Sequence, residues 1–300
     1  MINSKIRIAA HATALLTIFI WGTTFISTKV LLGDFNPLEI LFFRFVIGYV
    51  VLWGVYPRFV KCLKRRDELL FAAAGFCGVT LYFLMENIAL IYTYASNVGI
   101  IVSVAPFFTA VMAHFLLKDE RLHLRFFIGF VIAIFGISLI SLNGSFVLAL
   151  NPLGDLLAVL ACVCWAVYSI LMRKISELGY PVVGSTRRVF FYGLLFMLPA
   201  LFLFDFQFDL ERFADGINLS NILFLGFGAS AVCFVTWNWS VAVLGAVQTS
   251  SYIYLVPAVT VSAAYLILNE NITVGALIGA LFTLVGLIVS ERGFSIRKKV

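Results

Sequence analysis

Charged residues are scarce in this chain. Asp, Glu, Lys and Arg together make up 12% of its 300 residues, whereas a soluble domain usually carries about 25% charged residues. Hydrophobic residues account for 62% of the chain, and a water-soluble fold of this length has too little interior to hide that much apolar surface. The composition therefore excludes a soluble protein and predicts an integral membrane protein.

Patterns for metal binding, nucleophilic catalysis and nucleotide binding are also missing. The five cysteines and three histidines show no metal-ligand spacing and no HExxH motif. There is no Gly-x-Ser-x-Gly elbow beside a histidine, no P-loop, and no loop long enough to house a nucleotide domain. We therefore expect no metal, no cofactor, no ATP-driven step and no enzymatic activity. The first apolar run lacks a small-residue cleavage pattern, so we also expect no signal peptide.

The chain instead contains ten apolar segments, each close to the roughly 20 residues that a helix needs to cross the hydrocarbon core. Within lipid, a helix satisfies the backbone polar groups of a single segment. The sequence therefore predicts an all-α membrane protein with ten transmembrane helices, at 10–31, 38–56, 69–92, 97–117, 124–142, 153–172, 187–204, 221–243, 249–268 and 273–290.

The ten segments form two copies of one pattern, residues 1–150 and residues 151–300. The second member of each recurring pair lies 144, 150 or 151 positions after the first. The pairs are Trp21 and Trp165, Pro37 and Pro181, Arg44 and Arg188, Gly75 and Gly226, Asn87 and Asn238, Ala95 and Ala246, Pro106 and Pro257, Glu120 and Glu270, Gly129 and Gly279, and Gly136 and Gly286. Each copy holds five segments. Because five is an odd number, the second five-helix repeat enters the bilayer in the opposite orientation to the first. Inverted repeats are typical of secondary transporters, whose binding site lies between the halves near the bilayer midplane.

Basic residues orient the chain in the membrane. Eighteen of the 21 Lys and Arg residues lie at one set of segment ends, and only Lys29 and Arg212 lie at the other set. Lys and Arg accumulate on the cytoplasmic side. Both termini are therefore expected in the cytoplasm, in a multi-pass protein of the cytoplasmic (inner) cell membrane. The net charge of +6 thus reflects topology, and we expect no nucleic-acid partner.

Short motifs in the first copy carry a family resemblance. They read Trp21-Gly-Thr-Thr-Phe-Ile-Ser-Thr-Lys29, Asn36-Pro37-Leu-Glu39, Arg44-Phe45, Ala89-Leu-Ile-Tyr-Thr-Tyr-Ala95-Ser96-Asn97, Ala105-Pro106 and Lys118-Asp-Glu120-Arg121-Leu122. In their order and duplication they resemble the EamA family of the drug/metabolite transporter superfamily over residues 10–290. The resemblance implies export or exchange of small metabolites, often amino acids or related compounds, by alternating access. It does not identify the solute.

Two charged residues lie inside predicted membrane helices. Arg44 and Glu86 are each six residues from the outer end of their helix, which is roughly 9 Å, and a charge in hydrocarbon requires a cavity or a partner. Glu86 could bind a substrate ammonium group or a coupling proton, or it could form a structural salt bridge with Arg44. The mirrored arginine favours an architectural role for Arg44 and Arg188. The unmirrored acid, whose repeat equivalent is Trp237, favours substrate chemistry for Glu86.

Aromatic and amide side chains supply further candidates for substrate contact, because Trp and Tyr combine an apolar body with a hydrogen-bond donor and their rings can also bind a cation. The candidate substrate-binding residues are Trp21, Tyr82, Glu86, Asn87, Trp165, Tyr168, Trp237, Asn238 and Tyr252. Each aromatic residue could instead pack in the core or at the membrane interface. The two asparagines could instead cross-link helices, since buried amides need partners.

Prolines and glycines recur at matched depths. Pro106 and Pro257 each remove a backbone donor and are expected to kink the fourth and ninth helices, freeing the carbonyls of Val102 and Ile253. They could act as hinges of opposite gates, or only curve their helices around the bundle. The recurring glycines of the fifth and tenth helices allow close helix approach. They predict a scaffold that could also form a homodimer contact.

The leading hypothesis is a carrier that moves a small-molecule substrate across the lipid bilayer, with a central site between the repeats. Glu86 is the only acidic residue deep in a predicted helix, so it is the proton-coupling candidate, with uniport as the alternative. A non-transporting membrane receptor or assembly factor is the second hypothesis, and an intramembrane enzyme is the third. Saturable uptake with counterflow in proteoliposomes distinguishes the carrier from both.

Overall fold

The structure is a computed structural model, and it describes residues 4–60, 64–92, 98, 101–118, 120, 123–141, 151–203, 206–268 and 274–291. Its α-helices are α1 (Ser4–Leu31), α2 (Pro37–Val55), α3 (Arg65–Gly75), α4 (Tyr82–Tyr92), α5 (Ala105–Leu116), α6 (Leu124–Ser141), α7 (Pro152–Glu177), α8 (Val182–Leu203), α9 (Gly216–Leu223), α10 (Cys233–Leu244), α11 (Ala246–Ser250), α12 (Val256–Leu268) and α13 (Val274–Glu291). Two π-helices, Phe76–Leu81 and Phe224–Val232, and two 3-10 helices, Glu211–Ala214 and Ser251–Leu255, complete the described elements.

Most of the described chain is helical, and no strand occurs in these residues. Six helical stretches are long and apolar enough to cross a membrane, namely Ser4–Thr28, Pro37–Val55, Arg65–Ala89, Pro152–Glu177, Val182–Leu203 and Gly216–Leu244. Shorter or interrupted helices, α5, α6, α11 with α12, and α13, occupy the other four predicted spans. The predicted helical membrane architecture is confirmed at this level. The count of ten crossings and the orientation of the termini stay predictions.

Two spans contain a π-helix where the sequence predicts a continuous α-helix. Phe76–Leu81 joins α3 to α4, and Phe224–Val232 joins α9 to α10. Shifted by the repeat offset of 151, the first π-helix falls at 227–232, inside the second. A π-helix has i→i+5 hydrogen bonds and changes which side chains face a neighbour, and it is often found at functional sites. The two distortions therefore occupy equivalent positions of the repeat.

A helix break precedes the proline in two other spans. Pro106 is the second residue of α5, after a turn at residues 103–104, and Pro257 is the second residue of α12, directly after a 3-10 helix. A proline in the first turn of a helix removes no intrahelical hydrogen bond. The expectation of a kink inside a continuous helix is therefore wrong, because each helix is interrupted before its proline. The Ile253 carbonyl, expected to be free, accepts the Val256 amide.

The glycines of the fifth and tenth predicted helices pack against each other within the chain. A Cβ atom added to Gly136 would lie 2.5 Å from the Gly279 carbonyl oxygen, and one added to Gly129 would lie 2.5 Å from the Gly286 carbonyl oxygen. These distances leave no room for a side chain, so α6 and α13 touch through their backbones. The close helix approach that these glycines predict is therefore present, whereas the scaffold role stays a prediction. A homodimer through the same helices stays a prediction.

We expect Gly136→Ala to lower the thermal unfolding midpoint in detergent, because the added methyl group overlaps a backbone atom that cannot rotate away. Overpacking of this kind typically costs about 1–3 kcal/mol. Gly54 of α2 is the matched control, because a Cβ atom there meets nothing within 4 Å. Gly54→Ala should be neutral or slightly stabilising. An equal decrease of the unfolding midpoint in the two variants would show that the α6–α13 contact is not close-packed.

Candidate functional site

A cavity lies among α1, α2, α4 and α7, next to the breaks that precede α5 and α12. Its empty volume of about 900 Å³ includes space that is open to solvent. Its wall includes Trp21, Tyr82, Glu86, Asn87 and Trp165, which are five of the predicted substrate-binding residues. Three aliphatic residues beside the breaks, Val102, Ile253 and Val256, belong to the apolar part of the wall. The interrupted helices therefore border the space that the predicted residues share.

Glu86 is the acidic residue of the cavity wall. It is 8% exposed, and its Oε1 atom accepts a hydrogen bond of 3.0 Å from the Tyr82 hydroxyl, one helical turn earlier on α4. The neighbouring Asn87 donates from Nδ2 to the Pro37 carbonyl oxygen at 3.3 Å. The Asn87 amide thus joins α4 to the start of α2, while the Tyr82 hydroxyl holds the Glu86 carboxyl in place.

Arg44 lies in the same wall, although the sequence favours an architectural role for it. Its Nε atom donates to the Ser230 hydroxyl at 3.0 Å, and its guanidinium carbon lies 4.9 Å from the centre of the Phe83 ring. No ion pair within 4.0 Å joins Arg44 to Glu86 in the part of the chain that the structure describes. The salt bridge that the sequence allows between these two residues is therefore not formed in this conformation.

The indole rings form a cluster beside the cavity. The ring centroid of Trp21 lies 5.5 Å from that of Trp165 and 5.1 Å from that of Trp237. Trp21 donates from Nε1 to the Ala229 carbonyl oxygen at 2.9 Å. The Nε1 atoms of Trp165 and Trp237 are buried, and no partner for them occurs among the described residues. The predicted repeat pair Trp21 and Trp165 is thus in direct ring contact.

Four other predicted substrate-binding residues lie outside the cavity wall. Tyr168 donates from its hydroxyl to Asn238 Oδ1 at 2.8 Å, and Asn238 Nδ2 donates to the Thr186 hydroxyl at 3.0 Å. The Tyr252 hydroxyl is 2.6 Å from His11 Nδ1, and Trp237 packs behind Trp21. Asn238 thus cross-links helices and the three aromatic residues pack inside the bundle, which are the alternatives that the sequence leaves open for them.

Arg188, the repeat equivalent of Arg44, has a different environment. It forms an ion pair with Glu68, and its Nε atom donates to Glu68 Oε1 at 3.0 Å. Its Nη1 atom also donates to the Val60 carbonyl oxygen. Arg188 is absent from the cavity wall. Its contacts agree with the structural charge that the sequence predicts at this position.

One polar contact that sequence reasoning missed involves Glu120, which the sequence marks as a repeated position and as part of a family motif. Its Oε1 accepts the Ala246 amide at 2.8 Å, and its Oε2 accepts the Val247 amide at 2.7 Å. Arg173 Nε lies 3.7 Å from the same carboxylate. Burial raises the pKa of the Glu120 carboxyl, although the two amides and Arg173 act in the opposite direction.

Gly245 makes the Glu120 contact possible. It ends α10 with a φ angle of +96°, in the left-handed region that favours glycine. A Cβ atom added there would lie 2.9 Å from Glu120 Oε1. A residue with a side chain would therefore strain the backbone and push the carboxylate away from the two amides.

The Glu120 contact and the cavity lie at different depths of the bundle. Along α1, Trp21 and Thr28 line the cavity, whereas Arg7 donates to Gln248 Oε1 at 3.4 Å, one residue after the amides that Glu120 accepts. At 1.5 Å per residue, Arg7 lies roughly 20 Å from Trp21 along the helix axis and roughly 30 Å from Thr28. The Glu120 contact therefore lies toward one end of the bundle, and the cavity lies toward the other end.

Comparisons with known proteins agree with this architecture. Residues 8–142 and 152–291 match the EamA-like transporter family. An uncharacterized transporter from Archaeoglobus fulgidus is 27% identical, over 95% of this chain and 96% of that protein. A probable amino-acid metabolite efflux pump from Escherichia coli is 29% identical, over 96% of each chain. A protein of known crystal structure has a TM-score of 0.77, over 94% of this chain and 96% of that one, at 18% identity. A likeness at this identity supports the fold alone.

Proposed function

The chain belongs to the EamA-like transporter family, and from that premise we propose that it is a secondary carrier that exports or exchanges amino acids or related small metabolites. Its relatives are named as transporters, which makes this multi-pass membrane protein a transporter rather than an enzyme. The class of solute and the transport mechanism are what we propose.

The composition of the cavity carries the proposal. Among the described residues, its wall combines one acid, Glu86, and one base, Arg44, with the indole rings of Trp21 and Trp165. Charged groups facing a cavity in a membrane protein mark a solute or ion path, and aromatic walls suit an amphipathic solute. An amino acid has both charges and an organic side chain. The E. coli relative named as an amino-acid metabolite efflux pump supports the same solute class.

We propose alternating access as the route. Two inverted five-helix repeats with ten crossings would place this cavity between the halves, with both termini on the cytoplasmic side of the inner membrane. The double family match and the equivalent positions of the two π-helices support this arrangement. In it, the Glu120 contact lies at the cytoplasmic end and holds that end closed, because it joins the first repeat to Ala246 and Val247 of the second.

Glu86 is the proposed site of proton coupling. It is buried in the cavity wall, and a carboxyl group there can take up a proton in one state and release it in the other. A solute-gradient uniporter with Glu86 as a simple ammonium ligand is the alternative. The two differ in whether a pH gradient alone drives accumulation.

Counterflow in proteoliposomes tests the proposed function. Vesicles loaded with each of the twenty L-amino acids should take up the same labelled amino acid faster than empty vesicles for at least one of them, with saturation. A receptor or assembly factor gives no such uptake. Absence of counterflow for every amino acid would overturn the proposed solute class.

A further inference from the structure

We infer that Arg44 binds the carboxylate of the transported solute and that Ser230 positions the Arg44 guanidinium for this purpose. The inference rests on the proposed function and refines it, because it requires a solute with a free carboxylate group. It also reverses the architectural role that the repeat suggests for Arg44.

Arg44 has unfilled hydrogen-bonding capacity among the described residues. The residue is 7% exposed, and a guanidinium group carries five N–H donors. Among the described residues, its only hydrogen-bond acceptor is the Ser230 hydroxyl. A buried charge without a counter-ion is costly, and Arg44 faces the cavity. An anionic group arriving in the cavity would supply the missing acceptors.

The guanidinium group of Arg44 is also held in place from two sides. The Ser230 hydroxyl, fully buried in the second π-helix, fixes the Nε atom at 3.0 Å. The rings of Phe45 and Phe83 lie 5.3 and 4.9 Å from the guanidinium carbon. With Nε occupied, the two terminal nitrogens remain for a carboxylate, which arginine prefers to bind through two parallel hydrogen bonds.

The two repeats differ in the partner of this arginine. Arg188 has its own carboxylate partner, Glu68. The repeat equivalent of Glu68 is Leu219, which cannot pair with Arg44. The arginine of the second repeat thus has an ion pair within the protein, whereas no ion pair of Arg44 within 4.0 Å occurs among the described residues.

Glu86 supplies the complementary charge in the same cavity. It is held by Tyr82 and forms no ion pair with Arg44 among the described residues. A solute with a carboxylate and an ammonium group on neighbouring atoms would bridge the two, with its side chain against Trp21 and Trp165. The arrangement therefore selects zwitterionic amino acids over amines and over uncharged metabolites.

The test compares three related solutes in proteoliposomes. It uses the L-amino acid with the strongest counterflow, its decarboxylated amine and its deaminated acid as competitors of the labelled amino acid. The variants are Arg44→Lys and Ser230→Ala, with Arg188→Lys as the matched control, and each is checked for a wild-type unfolding midpoint. If Arg44→Lys fails this check, Ser230→Ala alone decides the outcome.

We expect Arg44→Lys to weaken competition by the amino acid and the acid at least tenfold, and Ser230→Ala to weaken it threefold or more. Competition by the amine should stay within twofold of wild type in both variants. Arg188→Lys should change competition by all three solutes by the same factor. Two results would overturn the inference while leaving the proposed function intact. One is an equal loss of competition by the amine and by the acid, and the other is wild-type competition by the acid in Ser230→Ala. Lack of counterflow by wild type with every amino acid would instead overturn the proposed function, and this inference with it.

Discussion

Glu86→Gln should abolish uptake driven by a pH gradient while preserving part of the counterflow at uniform pH. The amide has nearly the shape of the carboxyl group but cannot take up a proton, so the solute can still exchange while the proton cannot be coupled. We expect accumulation driven by an imposed pH gradient in proteoliposomes to fall at least tenfold. Counterflow should fall less, because it needs no net proton movement.

Tyr82→Phe is the matched control for Glu86→Gln. It keeps the acid and the aromatic ring but removes the hydroxyl that donates to Glu86 at 3.0 Å. A hydrogen bond to a charged group is worth about 1.5–3 kcal/mol, so the rate should fall while the dependence on the pH gradient remains. Wild-type accumulation by Glu86→Gln would contradict proton coupling through this residue.

Glu120→Ala should open the end of the bundle that the Glu120 contact holds together. The substitution leaves the amides of Ala246 and Val247 without the acceptors that now lie 2.8 and 2.7 Å away. Each lost hydrogen bond to the carboxylate is worth about 1.5–3 kcal/mol, and about 1.4 kcal/mol shifts an equilibrium tenfold. We therefore expect a tenfold or larger shift toward the conformation that opens at this end.

Chemical labelling measures this shift. Ser251→Cys, placed in a chain whose five native cysteines are replaced by alanine, reports on a position that is fully buried in the described conformation. A water-soluble maleimide added to inside-out vesicles should label it at least ten times faster when Glu120→Ala is also present.

Glu177→Ala is the control for the Glu120 experiment, because Glu177 also lies near Arg173, at 3.6 Å, but its side chain is 53% exposed. Exposed ion pairs contribute little, so labelling of Ser251→Cys should not change. Equal labelling rates with Glu120 intact and with Glu120→Ala would show that this carboxylate does not hold the end closed.

The sequence predicts the helical membrane architecture because composition alone decides it. A chain with 62% hydrophobic residues has no soluble alternative, and lipid leaves helices as the element for each apolar segment. The cavity residues Glu86 and Arg44 are predictable for a related reason, since charges within apolar helices need a polar environment.

Which aromatic side chains line the cavity is not predictable in the same way. Tyr168 and Trp237 lie on helices that are apolar on nearly every side, so hydrophobic periodicity does not reveal which side faces a cavity. Trp21 and Trp165 line the cavity while Trp237 packs behind them. Only the packing of the helices separates these cases.

The π-helices, the helix breaks and the Glu120 contact depend on tertiary structure. Nothing in the residues of Phe76–Leu81 distinguishes them from an α-helix, because the distortion follows from how neighbouring helices pack. Glu120 meets Ala246 across 126 positions of sequence, a distance over which local patterns carry no information. The repeat does indicate that Glu120 matters, since its position recurs at Glu270, but not what it contacts.

Protection of a cysteine in the cavity wall by bound solute tests whether the solute binds in this cavity. Thr24 lines the cavity on α1, whereas Thr13 of the same helix contacts Ser240 toward the end held by Glu120. With the native cysteines removed, a saturating concentration of the best counterflow amino acid should slow labelling of Thr24→Cys by a small methanethiosulfonate at least fivefold, and should leave Thr13→Cys unaffected. Unchanged labelling of Thr24→Cys in a variant that still transports this amino acid would place the solute elsewhere and contradict the account.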